Sequence, residues 1–198
     1  MARIKKFTYD VETDGLDSGR NEVLQFAAII EINNVEVERV NWFIEPTDWS
    51  KCSPEALAVN GMDKFFKEDP SKFISQDTFY KKLMSLLGKY INKFDTKDKF
   101  YMIGYNSHAF DAQFIRALFT RNGNSFFGSY FWNPNVDVML IAMAACIGQR
   151  DKLPNFKLGT VARSLGIVID EDRLHDGLYD VEVTSELFDI LDREMNLT

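Results

Sequence analysis

Several things are scarce in this chain, and each shortage closes off a class of protein. No apolar run approaches the roughly 20 residues that a membrane-spanning helix needs, so no membrane association is expected. The basic start, Met1-Ala2-Arg3-Ile4-Lys5-Lys6, leads into strand-like and acidic sequence rather than the apolar stretch of a signal peptide. Cysteine is limited to Cys52 and Cys146, which stand apart and lack the spacing of a thiolate metal site. Two lone thiols suit a reducing compartment, and a cytoplasmic, intracellular location is the expectation. Positive charge is in deficit, with a formal net charge of −7, which argues against nucleic acid held by bulk charge alone. Internal repeats, low-complexity tracts and linkers are lacking too, so residues 1–198 read as one domain.

What is present is a globular composition, 45% hydrophobic and 27% charged, with 17 phenylalanines that foretell an aromatic core. The charge is unevenly spread. Nine lysines face five acidic residues over positions 64–99, a local excess of +4 that leaves −11 for the remainder. That segment reads either as the solvated face of a helix or as a flank that draws a polyanion towards an acidic site.

Three strands are expected first: residues 4–9, residues 22–32, and residues 35–44 after an Asn33-Asn34 hairpin turn. Ser53 followed by Pro54 reads as a helix start that runs to Asn60-Gly61. A lysine-rich loop is expected next. Phe79, Leu83, Leu86, Leu87, Tyr90, Ile91 and Phe94 then fall at helical spacing on one apolar face. A strand over 100–105 and helices over 109–121, 138–147 (capped by Asp137), 157–165 and 178–194 complete the pattern. Three strands followed by alternating helices and a further strand indicate an α/β protein with one mixed sheet flanked by helices.

Chemistry is suggested by carboxylates at the ends of these elements. Asp10 and Glu12, two residues apart in a strand, share a face. Like charges that close cost several kcal/mol to bury unpaired, and a divalent cation between them removes the repulsion. Asp111 follows Asn106-Ser107-His108-Ala109-Phe110 where a strand gives way to a helix. Asp180 lies five residues after His175, where a loop enters the last helix.

Asp10-Val11-Glu12-Thr13, Asn106 through Phe110-Asp111, and His175 with Asp180 together resemble, in order and approximate spacing, the three motifs of the DEDDh family of 3′–5′ exonucleases. Residues 53–62 and 158–167 are similar to further family segments, so the resemblance spans nearly the whole chain. It implies a ribonuclease H-like fold with a central five-stranded mixed sheet, three strands antiparallel and the rest parallel. It also implies two Mg2+ or Mn2+ ions about 3.5–4 Å apart, held by Asp10, Glu12, Asp111 and Asp180. Asp10 would bridge both ions, Glu12 and Asp180 would hold the ion carrying the attacking water, and Asp111 would act on the other. His175 would be the general base, since imidazole titrates near neutral pH.

The family places an apolar side chain against the terminal base where this chain has Leu16. Phe110 would stack or pack nearby, the Thr13 N–H would contact the terminal 3′-OH, and Asn106 would orient the second motif. Leu16 and Phe110 also fit as core residues. His108 reads as structural or close to substrate, and Asp14, Asp17, Asp137 and Asp176 as turn, cap or surface residues. Gly177 stands where alanine is common in the family, which implies a looser His175 loop. The expected activity is release of nucleoside 5′-monophosphates from a single-stranded 3′ end, with DNA placed ahead of RNA or short oligonucleotides and a polymerase or other replication protein as a conceivable partner. A non-catalytic nucleic-acid-binding module on the same fold would be expected to lack a carboxylate, and none is missing.

Overall fold

Alternation along residues 5–13 sets the layers of the molecule. In the computed structural model, which describes residues 3–195, strand β1 (Lys5–Thr13) sends Phe7, Tyr9 and Val11 into an aromatic core on one face. The intervening residues therefore face the opposite side, where the Lys6 ammonium reaches Asp189 at 2.8 Å.

Strand β1 pairs antiparallel with β2 (Val23–Ile32), and β2 turns into the antiparallel β3 (Val35–Glu45). The turn residues Asn33 and Asn34 have φ of 53° and 62°. Two successive left-handed residues match the twist of a tight hairpin, and asparagine tolerates that conformation. Strand β4 (Phe73–Ser75) adds parallel to β3, while β5 (Tyr101–Gly104) and β6 (Val136–Asp137) add parallel on the far side of β1. The order is β4-β3-β2-β1-β5-β6. The four strands placed from the sequence are there as β1, β2, β3 and β5, while β4 and β6, of three and two residues, are too short to show an alternation of their own and make the sheet six-stranded rather than five-stranded.

The helices are α1 (Pro54–Asn60), α2 (Met62–Glu68), α3 (Gln76–Tyr90), α4 (Asp111–Arg121), α5 (Phe127–Tyr130), α6 (Val138–Ala145), α7 (Leu158–Ser164) and α8 (Gly177–Met195). Ser53 caps α1 by accepting from the Ala56 N–H at 3.3 Å, and Asp137 caps α6 through Met139 at 3.1 Å. Helix α2 replaces the expected loop. Its lysines obscure any apolar period, and it is held instead by aromatic contacts: Phe65 lies 4.7 Å from Phe43 and Phe66 lies 4.9 Å from Trp49. Helix α3 ends before its apolar period does. Ile91 is extended yet buried, and Phe94 is 84% exposed beside Lys93.

Helices α3, α4 and α5 cover the face that holds Phe7, Tyr9 and Val11, while α6, α7 and α8 cover the other. The Phe7 ring sits 5.3–6.1 Å from those of Tyr9, Phe26, Phe100 and Phe131. Each such ring contributes about 1.5–3 kcal/mol by leaving water. Along residues 64–99, Lys67, Lys72, Lys81 and Lys89 pair with Asp63, Asp69, Asp77 and Glu38. Asp63 and Glu38 lie outside the segment, so their pairs offset half of its +4 excess, on a solvated face. No helix among the described residues is long and apolar enough to cross a membrane.

Candidate active site

The C-terminal half of β1 carries Asp10 and Glu12, both partly buried, on the face towards α8. Asp111 opens α4 and is buried, and its Oδ1 accepts the Val11 N–H at 3.1 Å. That bond fixes the start of α4 to β1, so the third carboxylate is placed by the backbone beside the first two.

The bend that delivers Asp111 is built by residues whose roles were not evident from the motif alone. Asn106 is left-handed, with φ of 56°. Its N–H and that of His108 both donate to the Asp137 carboxylate, at 3.0 and 3.1 Å. Ser107 is fully buried, its hydroxyl accepts from Asn135 at 2.9 Å, and its carbonyl accepts from Ala112. Gly104 makes room for it, because a Cβ there would lie 2.6 Å from the Ser107 Cβ. The Asn106 side chain is itself exposed, so this residue shapes the bend through its backbone. His108 bonds Asn135 at 2.8 Å, which gives it a structural place.

Asp180 comes from the first turn of α8, and its N–H donates to the Asp176 carbonyl at 2.9 Å. Its Oδ2 accepts the His175 N–H at 3.3 Å, while its Oδ1 is buried with no hydrogen-bond partner. His175 is exposed and left-handed, with φ of 71°. Apart from the hairpin asparagines, His175 and Asn106 are the only non-glycine residues with positive φ among those described. Such backbone costs on the order of 1–3 kcal/mol and persists where surroundings enforce it. Gly177 is buried. A Cβ there would stand 3.3 Å from Gln25 Cδ and 3.4 Å from Asp10 Oδ2, so an alanine would require Gln25 to give by a few tenths of an ångström.

The four carboxylates share one electrostatic field. Burial, followed by the charges of Asp111, Glu12 and Asp180, holds Asp10 well above the usual carboxylate range. Glu12 is pushed up to about 8 by burial and then by Asp180 and Asp111. Asp111 rises to about 7, mainly through burial and against the Val11 N–H bond, and Asp180 rises to about 6 through burial. As they stand, no three His, Cys, Asp or Glu side chains among the described residues are gathered closely enough to grip an ion. The donor set nevertheless fits a hard divalent cation: it is all oxygen, mutually repelling, and includes the orphaned Asp180 Oδ1.

Leu16 is 85% exposed, which removes the core reading. Phe110 is half-buried with its ring 5.0 Å from Phe114, at the edge of the core. Thr13 is buried. Its hydroxyl donates to the Gly15 carbonyl at 2.7 Å, and its own carbonyl accepts from Asn60 at 2.9 Å. Asn60, at the end of α1, thus braces the end of β1. With His175, Gln25, Phe43, Val59 and Phe65 it lines a cleft of ≈ 330 Å³. The signal for Asn60 lay in the segment 53–62. Asp137 showed only as a helix cap, because nothing local to it reports the two N–H groups that it holds some thirty residues away.

The model of an exonuclease family, RNase_T, matches residues 7–188. Among curated proteins, the chain is 24% identical over 189 residues to a PolC-type DNA polymerase III of Mycoplasma pneumoniae, covering 96% of this chain and 12% of that one. It is 28% identical over 192 residues to exodeoxyribonuclease I of Escherichia coli, covering 89% of this chain and 37% of the other. To ribonuclease T of Baumannia cicadellinicola it is 28% identical over 189 residues, covering 90% and 79%. A zinc-bound complex of E. coli ExoI with single-stranded DNA superposes with a TM-score of 0.75 at 23% identity, covering 98% of this chain and 41% of that one. The likeness confirms the ribonuclease H-like fold, while the chain spans only a minor part of the polymerase and exodeoxyribonuclease relatives.

Proposed function

Since the chain belongs to the RNase_T exonuclease family, we propose that it is a divalent-metal-dependent 3′–5′ exonuclease acting on single-stranded nucleic acid, as one domain. The observation that carries this reading is the convergence of Asp10, Glu12, Asp111 and Asp180 from three separate elements into one repelling cluster.

Asp10, Glu12, Asp111 and Asp180 would hold two Mg2+ or Mn2+ ions. When bound, such ions neutralise charge on the phosphate, ease deprotonation of water and stabilise the leaving oxygen. His175, exposed above Asp180, takes the proton from the attacking water, and its backbone bond to Asp180 keeps the imidazole near the carboxylates. Leu16 lies against the terminal base, and Phe110 stacks or packs nearby. Stacking or apolar contact of this kind serves any sequence. The Thr13 N–H meets the terminal 3′-OH, and Asn106 shapes the second motif.

DNA is the proposed substrate, a choice supported by the exodeoxyribonuclease relative. The ribonuclease T relative, matched over most of its length, favours RNA as the second reading. The PolC-type relatives suggest a replicative polymerase as partner. A time course on 5′-labelled single-stranded DNA, duplex DNA, RNA and dinucleotides with Mg2+ or Mn2+ tests all of this. Stepwise shortening from the 3′ end with release of 5′-monophosphates is expected. Internal cutting, or no hydrolysis of any strand, would overturn the reading.

Cation binding also has a stability signature. A carboxyl group whose folded pKa is raised stabilises the fold while protonated. That contribution is complete below the ordinary carboxyl range and is lost as pH climbs through about 6, 7 and 8, the values of Asp180, Asp111 and Glu12. The cation-free protein is expected to melt lower as pH rises from about 5 to about 9. A cation at about 100 times its Kd adds about 2.7 kcal/mol, or roughly 5–10 °C for a chain of this size. The gain should be larger at alkaline than at acidic pH, and melting curves in EDTA and in Mg2+ across that range check it.

A further inference from the structure

A polyanion approaching the carboxylates meets a chain of net charge −7, so its phosphates need a local cationic lane. One begins at the site itself. Helix α4 starts at Asp111, and its outer side carries Gln113, Arg116, Thr120 and Arg121. These form one wall of a groove of ≈ 380 Å³, and Ser18 and Gly19, just beyond the exposed Leu16, form the other. Among the described residues, two guanidinium groups and no carboxylate line it.

Neither arginine is paired with a carboxylate among the described residues. Arg121 donates to the Ser18 and Asn21 carbonyls at 2.6 Å each, clamping the loop to the helix. Arg116 lies with its guanidinium carbon 4.1 Å from the centre of the Phe127 ring and donates to the Asn133 side-chain oxygen at 2.8 Å. A flat cation seated on an aromatic ring and bonded to a neutral amide keeps its charge, and its other donors are held in a set orientation suited to phosphate. By contrast, four of the lysines on residues 64–99 face carboxylates. With a rise of about 1.5 Å per residue, Arg116 and Arg121 stand about 7.5 and 15 Å along the helix axis from Asp111.

We propose that this groove carries the strand on the 5′ side of the scissile bond, with Arg116 a positioning residue for a phosphate at least one nucleotide upstream. The proposal rests on the exonuclease reading and adds the route of its substrate. In the wild type, KM for thymidine oligonucleotides should fall from dinucleotide to tetramer to decamer. In Arg116→Gln, KM for the decamer should rise about 5–10-fold with kcat unchanged, and the log–log salt dependence of kcat/KM should flatten by about 0.7, the slope of one phosphate contact on a single strand. KM for the dinucleotide, too short to reach the groove, should move by less than twofold. Arg116→Lys should restore most of the salt slope. Equal effects on dinucleotide and decamer, or no effect on the decamer, would overturn the proposal. If no strand is hydrolysed by the wild type, the exonuclease reading fails. Fluorescence anisotropy with a labelled decamer in EDTA then decides the groove alone, with weaker binding by Arg116→Gln supporting it and unchanged binding overturning it.

Discussion

Replacing Asp10 by Asn should abolish exonuclease activity and, in the absence of a cation, make the protein more stable. Both effects come from one carboxylate. Asp10 is partly buried among Asp111, Glu12 and Asp180, and its pKa is raised by that burial and by all three charges. As an ion ligand it would support charge stabilisation worth several kcal/mol in the transition state. A loss of about 4 kcal/mol corresponds to roughly 10³-fold in rate. Without the ion, Asp10 can ionise only against its burial and the charges of three other carboxylates, so its removal takes that cost away as pH rises. A Tm rise of about 2–8 °C in EDTA near pH 8, consistent with 1–2 kcal/mol in a chain of this size, should accompany the loss of activity. The Mg2+-dependent gain in Tm should shrink as well. Retained wild-type turnover by Asp10→Asn would sink the site assignment.

His175 gives the second large effect. Its backbone is left-handed, a conformation that Asn adopts far more readily than Ala. His175→Asn therefore removes the imidazole with little backbone strain. The expected kcat is about 10²–10⁴-fold lower, the usual contribution of a positioned general base. The bond from the residue-175 N–H to Asp180 should survive, so the Mg2+-dependent rise in Tm should remain that of the wild type. If the variant turns over at the wild-type rate between about pH 6 and 9, imidazole is not the proton acceptor.

The sequence made the layered architecture legible because alternation and helical spacing are local signals. The alternation of β1, the Asn33-Asn34 turn and the capped starts of α1 and α6 all stand where those signals place them. The first, second and third motifs could be located for a similar reason, since each sits at an element end. What escaped was information held between distant segments. The grip of Asp137 on Asn106 and His108, the brace from Asn60 to Thr13 and the seat of Gly177 against Gln25 depend on neighbours far apart in the chain. Helix α2 escaped because aromatic contacts with Phe43 and Trp49 override a weak local period. Leu16 could be read as core or as contact residue until its exposure was known.

The parity of β1 has a consequence for how the site is specified. Phe7, Tyr9 and Val11 occupy odd positions and fill the aromatic core, and Asp10 and Glu12 occupy even ones. Sliding the strand by one residue against β2 would exchange the two sets, putting both acids among phenylalanines and leaving three large apolar side chains facing α8. The energy that forbids this slip resides in the rings rather than in the acids. The Asn33-Asn34 turn, at the other end of β2, holds the phase of the hairpin against which β1 is aligned. The placement of Asp10 and Glu12 is thus written twice, once in the carboxylates and once in the odd-numbered residues that leave them no other place to go.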